Sequence, residues 1–80
     1  VDSHGNTLLS LSCQQVNQRI VEMLLDRRAN INHQNNLGNT PLHYAMAYEP
    51  EGSLGEYLIG RGADDMIENN DGLSPYDGIE

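Results

Sequence analysis

Eighty residues carrying a net charge of −8 form at most one small domain, and a polypeptide this short buries barely enough apolar surface to offset its conformational entropy. The charge is uneven: residues 1–48 hold three acids (Asp2, Glu22, Asp26) against three arginines (Arg19, Arg27, Arg28), whereas residues 49–80 hold nine acids against Arg61 alone. That balance argues against nucleic acid or an anionic lipid surface as partner and leaves two readings, a protein partner with a basic surface or an acidic face kept for solubility.

In chain order, Thr7 is placed to cap a short helix through Leu8, Leu9, Leu11 and Ser12, its hydroxyl accepting from a free N–H at the helix start. Cys13 is the sole cysteine, so no internal disulfide is possible and a reducing, intracellular setting is expected, cytoplasm ahead of nucleus. No run of about 18 apolar residues and no basic-then-apolar leader occurs, so neither a membrane span nor a signal peptide is expected. After a polar break at Gln14 to Asn17, Ile20, Val21, Leu24 and Leu25 make one apolar stripe at helical spacing with Met23 beside it. Glu22, Asp26, Arg19 and Arg27 lie off the stripe, which predicts an amphipathic second helix packed antiparallel on the first.

Ala29 and Ile31 alternate with polar neighbours before Gln34-Asn35-Asn36-Leu37-Gly38, whose asparagines and glycine predict a projecting, reversing hairpin loop. A second helix pair begins at Thr40, with Pro41 at the first helical position and Leu42, Ala45 and Met46 facing inward. Glu49-Pro50-Glu51-Gly52 stops it. Ser53 and Glu56 read as a capping box for the next helix, which buries Leu54, Tyr57 and Leu58 and ends at a left-handed Gly62. Ala63 to Asp71 repeats the loop, and Ser74-Pro75 opens a third unit. The sequence thus begins and ends inside a pattern, as a piece of a longer array would.

Gly5-Asn6-Thr7-Leu8-Leu9 precedes Gly38-Asn39-Thr40-Pro41-Leu42 by 33 residues, and Gly72-Leu73-Ser74-Pro75-Tyr76 follows it by 34. Periods of this length signal stacked repeats, whose stability comes from neighbour packing on neighbour. Thr40-Pro41-Leu42-His43, with Gly38, Ala45, Leu58-Ile59, Gly62-Ala63 and Gly72, resembles the ankyrin repeat. Asp2, Gly5, Thr7, Leu9, Ile20-Val21, Leu24-Leu25, Ala29 and Asn32 resemble it in the first unit. The resemblance implies an all-α solenoid of antiparallel helix pairs joined by β-hairpin loops. Its units run from about 2 to 34 and 35 to 68, with the start of a third from 69 to 80.

Departures from the pattern sit at Leu8, Ser10 and Ser12, where the family has proline, histidine and alanine, and predict a weaker first helix. Arg28 stands where glycine is usual, at about 1 kcal/mol if its backbone is left-handed. One extra residue falls between Glu49 and Gly55. Asp65 and Met66 replace the counterparts of Ile31 and Asn32, which predicts a looser or reshaped second hairpin.

Reactive chemistry is sparse. His4, His33, His43 and Cys13 show no paired ligand spacing, so no metal is expected. Glu68-Asn69-Asn70-Asp71-Gly72 resembles part of a calcium loop but puts Ile67 where the first carboxylate belongs. No phosphate loop, nucleophile elbow or acid–base pair occurs, so neither catalysis nor a cofactor is expected, and Cys13 reads as packing.

By resemblance, His43 bonds Thr40 and nearby backbone, and Gly38, Thr40, Pro41, Leu42, Gly62 and Gly72 are structural. Such arrays bind proteins through hairpin tips and inner helices. Carried over by position, the contact surface is Ser3, His4, Asn6, Gln14 and Gln15, then Asn36, Leu37, Asn39, Ala47 and Tyr48, then Asn70, Asp71 and Leu73. Tyr48 is the leading anchor, offering area and a hydrogen bond together. A monomeric, non-catalytic interaction module is the function this implies. The alternative is a structural spacer or a regulatory appendage of a larger protein or enzyme.

Overall fold

Every helix begins where a neighbouring oxygen takes up its first free N–H groups, and those oxygens come from different residue types. In the computed structural model, which describes residues 3–49 and 51–78, the helices are α1 (Leu8–Gln14), α2 (Gln18–Asp26), α3 (Pro41–Tyr48) and α4 (Ser53–Gly60). Asp2, Pro50 and Glu80 lie outside the described residues. Thr7 Oγ1 accepts from Ser10 N–H, and Asn17 Oδ1 from Ile20 N–H. At α3 the exchange is reciprocal: Thr40 Oγ1 accepts from His43 N–H, while His43 Nδ1 accepts from Thr40 N–H at 3.0 Å.

The expected Ser53–Glu56 capping box is not formed. Gly52, left-handed at φ 90°, precedes α4 and provides no side-chain cap. The Glu49 carboxylate reaches over instead, accepting from Leu54 N–H at 2.6 Å and from Ser53 Oγ at 2.8 Å. Those bonds hold its carboxyl below the usual range, the Leu54 N–H being the larger cause.

Three helices end in the same wrapped geometry, in which the second residue past the cap reaches back five positions. Asn17, Ala29 and Ala63 N–H donate to the carbonyls of Ser12, Leu24 and Leu58. The left-handed residue between is Val16 (φ 53°), Arg28 (φ 66°) and Gly62 (φ 104°) respectively. Arg28 therefore does take the backbone glycine would adopt freely, and β-branched Val16 is the more strained of the two.

α1 packs on α2, α3 on α4, and α1 against α3. Leu9, Cys13, Val21, Leu25, Leu42, Ala45, Leu54 and Leu58 form the core, each apolar group of leucine size contributing about 2 kcal/mol. Leu8 and Met23 face solvent, and Ile20, Leu24 and Tyr57 are half-buried.

The loops between pairs turn without a strand ladder among the described residues. Asn35 N–H donates to Asn39 C=O and Gly38 N–H to Asn35 C=O, and Asn69, Leu73 and Gly72 repeat the pattern. The second hairpin keeps one local bond of the first: Met66 N–H donates to Asp64 Oδ1 just as Asn32 N–H donates to Asn30 Oδ1, so that turn survives the change at Asp65.

Candidate functional site

The groove beside α1 and α3 is built on four asparagines, each more than nine-tenths buried: Asn6, Asn35, Asn39 and Asn69. Asn35 Oδ1 accepts from Leu37 and Asn39 N–H, both at 3.0 Å, which fixes its amide orientation. Its Nδ2 then donates to Asn6 Oδ1 at 2.7 Å and to the Tyr44 hydroxyl at 2.6 Å. Asn69 Oδ1 accepts from Asp71 and Leu73 N–H, so its Nδ2 donates to Asn39 Oδ1 at 2.8 Å. That turns Asn39 Nδ2 toward the Tyr44 hydroxyl, 3.4 Å away. Two loop turns thus dictate the orientation of a relay that crosses both junctions between successive pairs.

Above this floor lies a cavity of about 440 Å³, lined by Asn6, Asn35, Asn39 and Tyr44 with His4, Gln14, Leu37 and Tyr48. Tyr48 is 54% exposed and stacks on Tyr44, ring centroids 6.2 Å apart and nearly parallel; Leu37 is 58% exposed. Among the described residues no carboxylate lines the cavity.

Six of the residues expected to face a partner meet here: His4, Asn6, Gln14, Leu37, Asn39 and Tyr48. Asn6 and Asn39, however, are buried, with side-chain amides engaged in the relay. They hold the floor and do not form the exposed contact surface expected of them, because each loop needs a buried acceptor and donor where the backbone reverses. Ser3, Asn36, Asn70 and Asp71 stand at the loop tips, outside the cavity. Asn36 N–H donates to His4 C=O and Asn70 N–H to Leu37 C=O. Their Nδ2 groups donate to Ser3 C=O and Asn36 C=O. Gln15, Ala47 and half-buried Leu73 do not line the cavity.

Tyr44, Asn35 and Asn69 were not among the expected site residues. Their signal was in the sequence: Asn35 and Asn69 recur 34 apart, as Asn6 and Asn39 recur 33 apart.

Gly5 and Gly38 make the tips fit. Both have positive φ, and a Cβ on Gly38 would lie 2.7 Å from Asn70 N, one on Gly5 3.2 Å from Asn36 N. Gly72, at φ +76°, has nothing within 4 Å of the same point.

Thr40, Pro41, Leu42 and His43 are fully buried. Because His43 Nδ1 accepts from Thr40 N–H, Nε2 carries the proton and donates to Leu73 C=O at 2.8 Å. The ring therefore also links α3 to the following loop. Burial pushes the Cys13 thiol up to about 12, so it stays protonated and packs as a small apolar group. Among the described residues no three His, Cys, Asp or Glu side chains converge as metal ligands, and no helix is long and apolar enough to cross a membrane.

A family model described as ankyrin repeats, in three copies, matches residues 1–75. The chain belongs to the ankyrin-repeat family. It is 39% identical over 64 residues to the human ankyrin repeat and KH domain-containing protein 1, a match that spans 80% of the present sequence and 2% of that protein. A putative ankyrin repeat protein of fowlpox virus is 40% identical over 77 residues, spanning 91% and 23%. The Arabidopsis thaliana ADP-ribosylation factor GTPase-activating protein AGD2 is 37% identical over 70 residues, spanning 88% and 9%. The ankyrin segment thus spans a small part of the length of these relatives. Ankyrin repeats are in general protein-interaction modules.

Proposed function

We propose that this ankyrin segment is a non-catalytic, monomeric module that captures a protein partner in the groove between the loop tips and α1 and α3. What carries the reading is Tyr48 and Leu37, both more than half exposed, at the mouth of a cavity whose floor is hydrogen-bonded in one orientation. A floor fixed before binding reduces the ordering entropy a partner must overcome. Exposed Asp71, next to Leu37 through the Asn70 N–H···O=C bond, and the acid-rich residues 49–80 support a partner with a basic surface, not nucleic acid or membrane. A reducing intracellular compartment, the cytoplasm first, fits the lone buried Cys13. The division into units at about 2–34, 35–68 and 69–80 is part of the same proposal.

The test is partner capture from an extract of the source cells by the wild-type protein, by Tyr48→Ala with Leu37→Ala, and by the outer-face control Met23→Ala with Ile59→Ala. Binding through the groove predicts a partner lost only by the first pair, at a thermal midpoint within about 5 °C of wild type. A partner retained by that pair overturns it. The small share of its relatives that the segment spans favours a second reading, a spacer or regulatory appendage, under which the groove variants change stability alone.

A further inference from the structure

Tyr44 is 7% exposed, and its hydroxyl oxygen already receives two amide donors, from Asn35 at 2.6 Å and Asn39 at 3.4 Å. Neither amide can be flipped to supply an acceptor instead. Asn35 is fixed by the Leu37 and Asn39 N–H groups on its Oδ1, and Asn39 by the Asn69 amide on its own. A phenol has two acceptor sites and one proton. Among the described residues no acceptor takes that proton, Tyr44 lines the cavity, and a buried donor left without an acceptor is unfavourable.

We propose that Tyr44 is the groove's recognition donor and that its ligand is an uncharged carbonyl oxygen, a backbone carbonyl of an extended partner segment. This rests on the groove being the binding face. A neutral acceptor is selected over a carboxylate or phosphate because the protein's net charge is −8 and no cationic arginine lines the cavity to offset a second anion. An apolar side group next to that carbonyl lies between Leu37 and the outer ring of the Tyr44–Tyr48 stack. His4 and Gln14 at the mouth add polar contacts to the flanking backbone.

The probes are N-acetyl-leucine-N-methylamide and N-acetyl-leucine, which share the leucine side group and differ in one terminal charge. Titrated into the 80-residue protein and followed by NMR, the amide is expected to move the resonances of Leu37, Tyr44 and Tyr48 and to bind more tightly than the carboxylate. Tyr44→Phe removes only the hydroxyl and is expected to weaken the amide about three- to tenfold, the range of one hydrogen bond. Should that variant not fold, the unaltered protein reports directly: the amide at saturation slows exchange of the Tyr44 hydroxyl proton with water. Equal binding of the two probes, an undiminished affinity in Tyr44→Phe, an unchanged hydroxyl exchange rate, or no binding of the amide in the cavity each overturns the proposal. The wider reading survives any of these if Tyr48→Ala with Leu37→Ala still loses the captured partner, and falls with it if capture persists.

Discussion

The starts of α1 and α3 use the same cap and differ in reach. Thr7 and Thr40 each accept an N–H three residues on, but the residue at that third position is Ser10 in one and His43 in the other. Ser10 Oγ turns back to Thr7 Oγ1 and goes no further. His43 closes the cap with one ring nitrogen and holds the carbonyl of Leu73, 30 residues away, with the other. A local helix signal has become a long-range link by the length of one ring. The first junction replaces that link from the opposite side, where His33 Nε2 bonds Gly5 C=O at 2.9 Å.

The largest effect expected of breaking this comparison is at His43. His43→Ala strands the Thr40 N–H and the Leu73 carbonyl and opens a void, a loss of about 4 kcal/mol, enough to unfold a protein this small. Ser10→Ala removes one 3.4 Å contact and should lose no more than about 1 kcal/mol. Urea unfolding followed by circular dichroism separates the two, and equal losses would show that the histidine links nothing beyond its own helix.

Glycines at the tips give the next contrast. Gly38→Ala combines a left-handed backbone with a Cβ 2.7 Å from Asn70 N, and should lose about 3 kcal/mol. Gly72→Ala meets open space and should lose only the backbone contribution, about 1 kcal/mol. Midpoints of denaturation for the pair test this. Comparable in size to the Gly72 effect but of opposite sign, Arg28→Gly relieves φ 66° and should raise stability by about 1 kcal/mol, while Gly62→Arg lowers it by a similar amount.

The smallest effect concerns Glu49, which caps α4 from the surface. Its folded pKa lies below the ordinary value of 4.5, so the stability it contributes is present above that value and fades as pH falls through the lowered folded one. Glu49→Gln should flatten the acid limb of a stability–pH profile by lowering stability slightly at neutral pH, and leave it nearly unchanged at acid pH where the carboxyl is already protonated.

Much of the helical frame was legible. Thr7 and Thr40 as caps, Pro41 at the first turn, Leu42, Leu54 and Leu58 inward and Gly62 as a left-handed stop all follow from local rules, because each depends on neighbours within one helical turn. The α4 start was misread because Ser53-x-x-Glu56 satisfies a capping pattern, while the actual acceptor, Glu49, lies before a glycine turn that sequence spacing does not describe. The lining of the candidate site was legible in part. His4, Gln14, Leu37 and Tyr48 follow from position in the repeat. The role of Asn6 and Asn39 does not, since asparagine in a loop reads as solvated until the turn that buries it is seen. Tyr44 was missed for the converse reason: next to His43 on α3 it reads as another packed ring, and its hydroxyl matters only through Asn35 and Asn39.

The most direct measurement is an amide-shift map of the protein bound to the partner it captures. Binding through the groove predicts the largest changes at His4, Gln14, Leu37, Tyr44 and Tyr48, with Met23 on α2 and Ile59 on α4 unmoved. Changes concentrated on α2 and α4 with those five unmoved would contradict it.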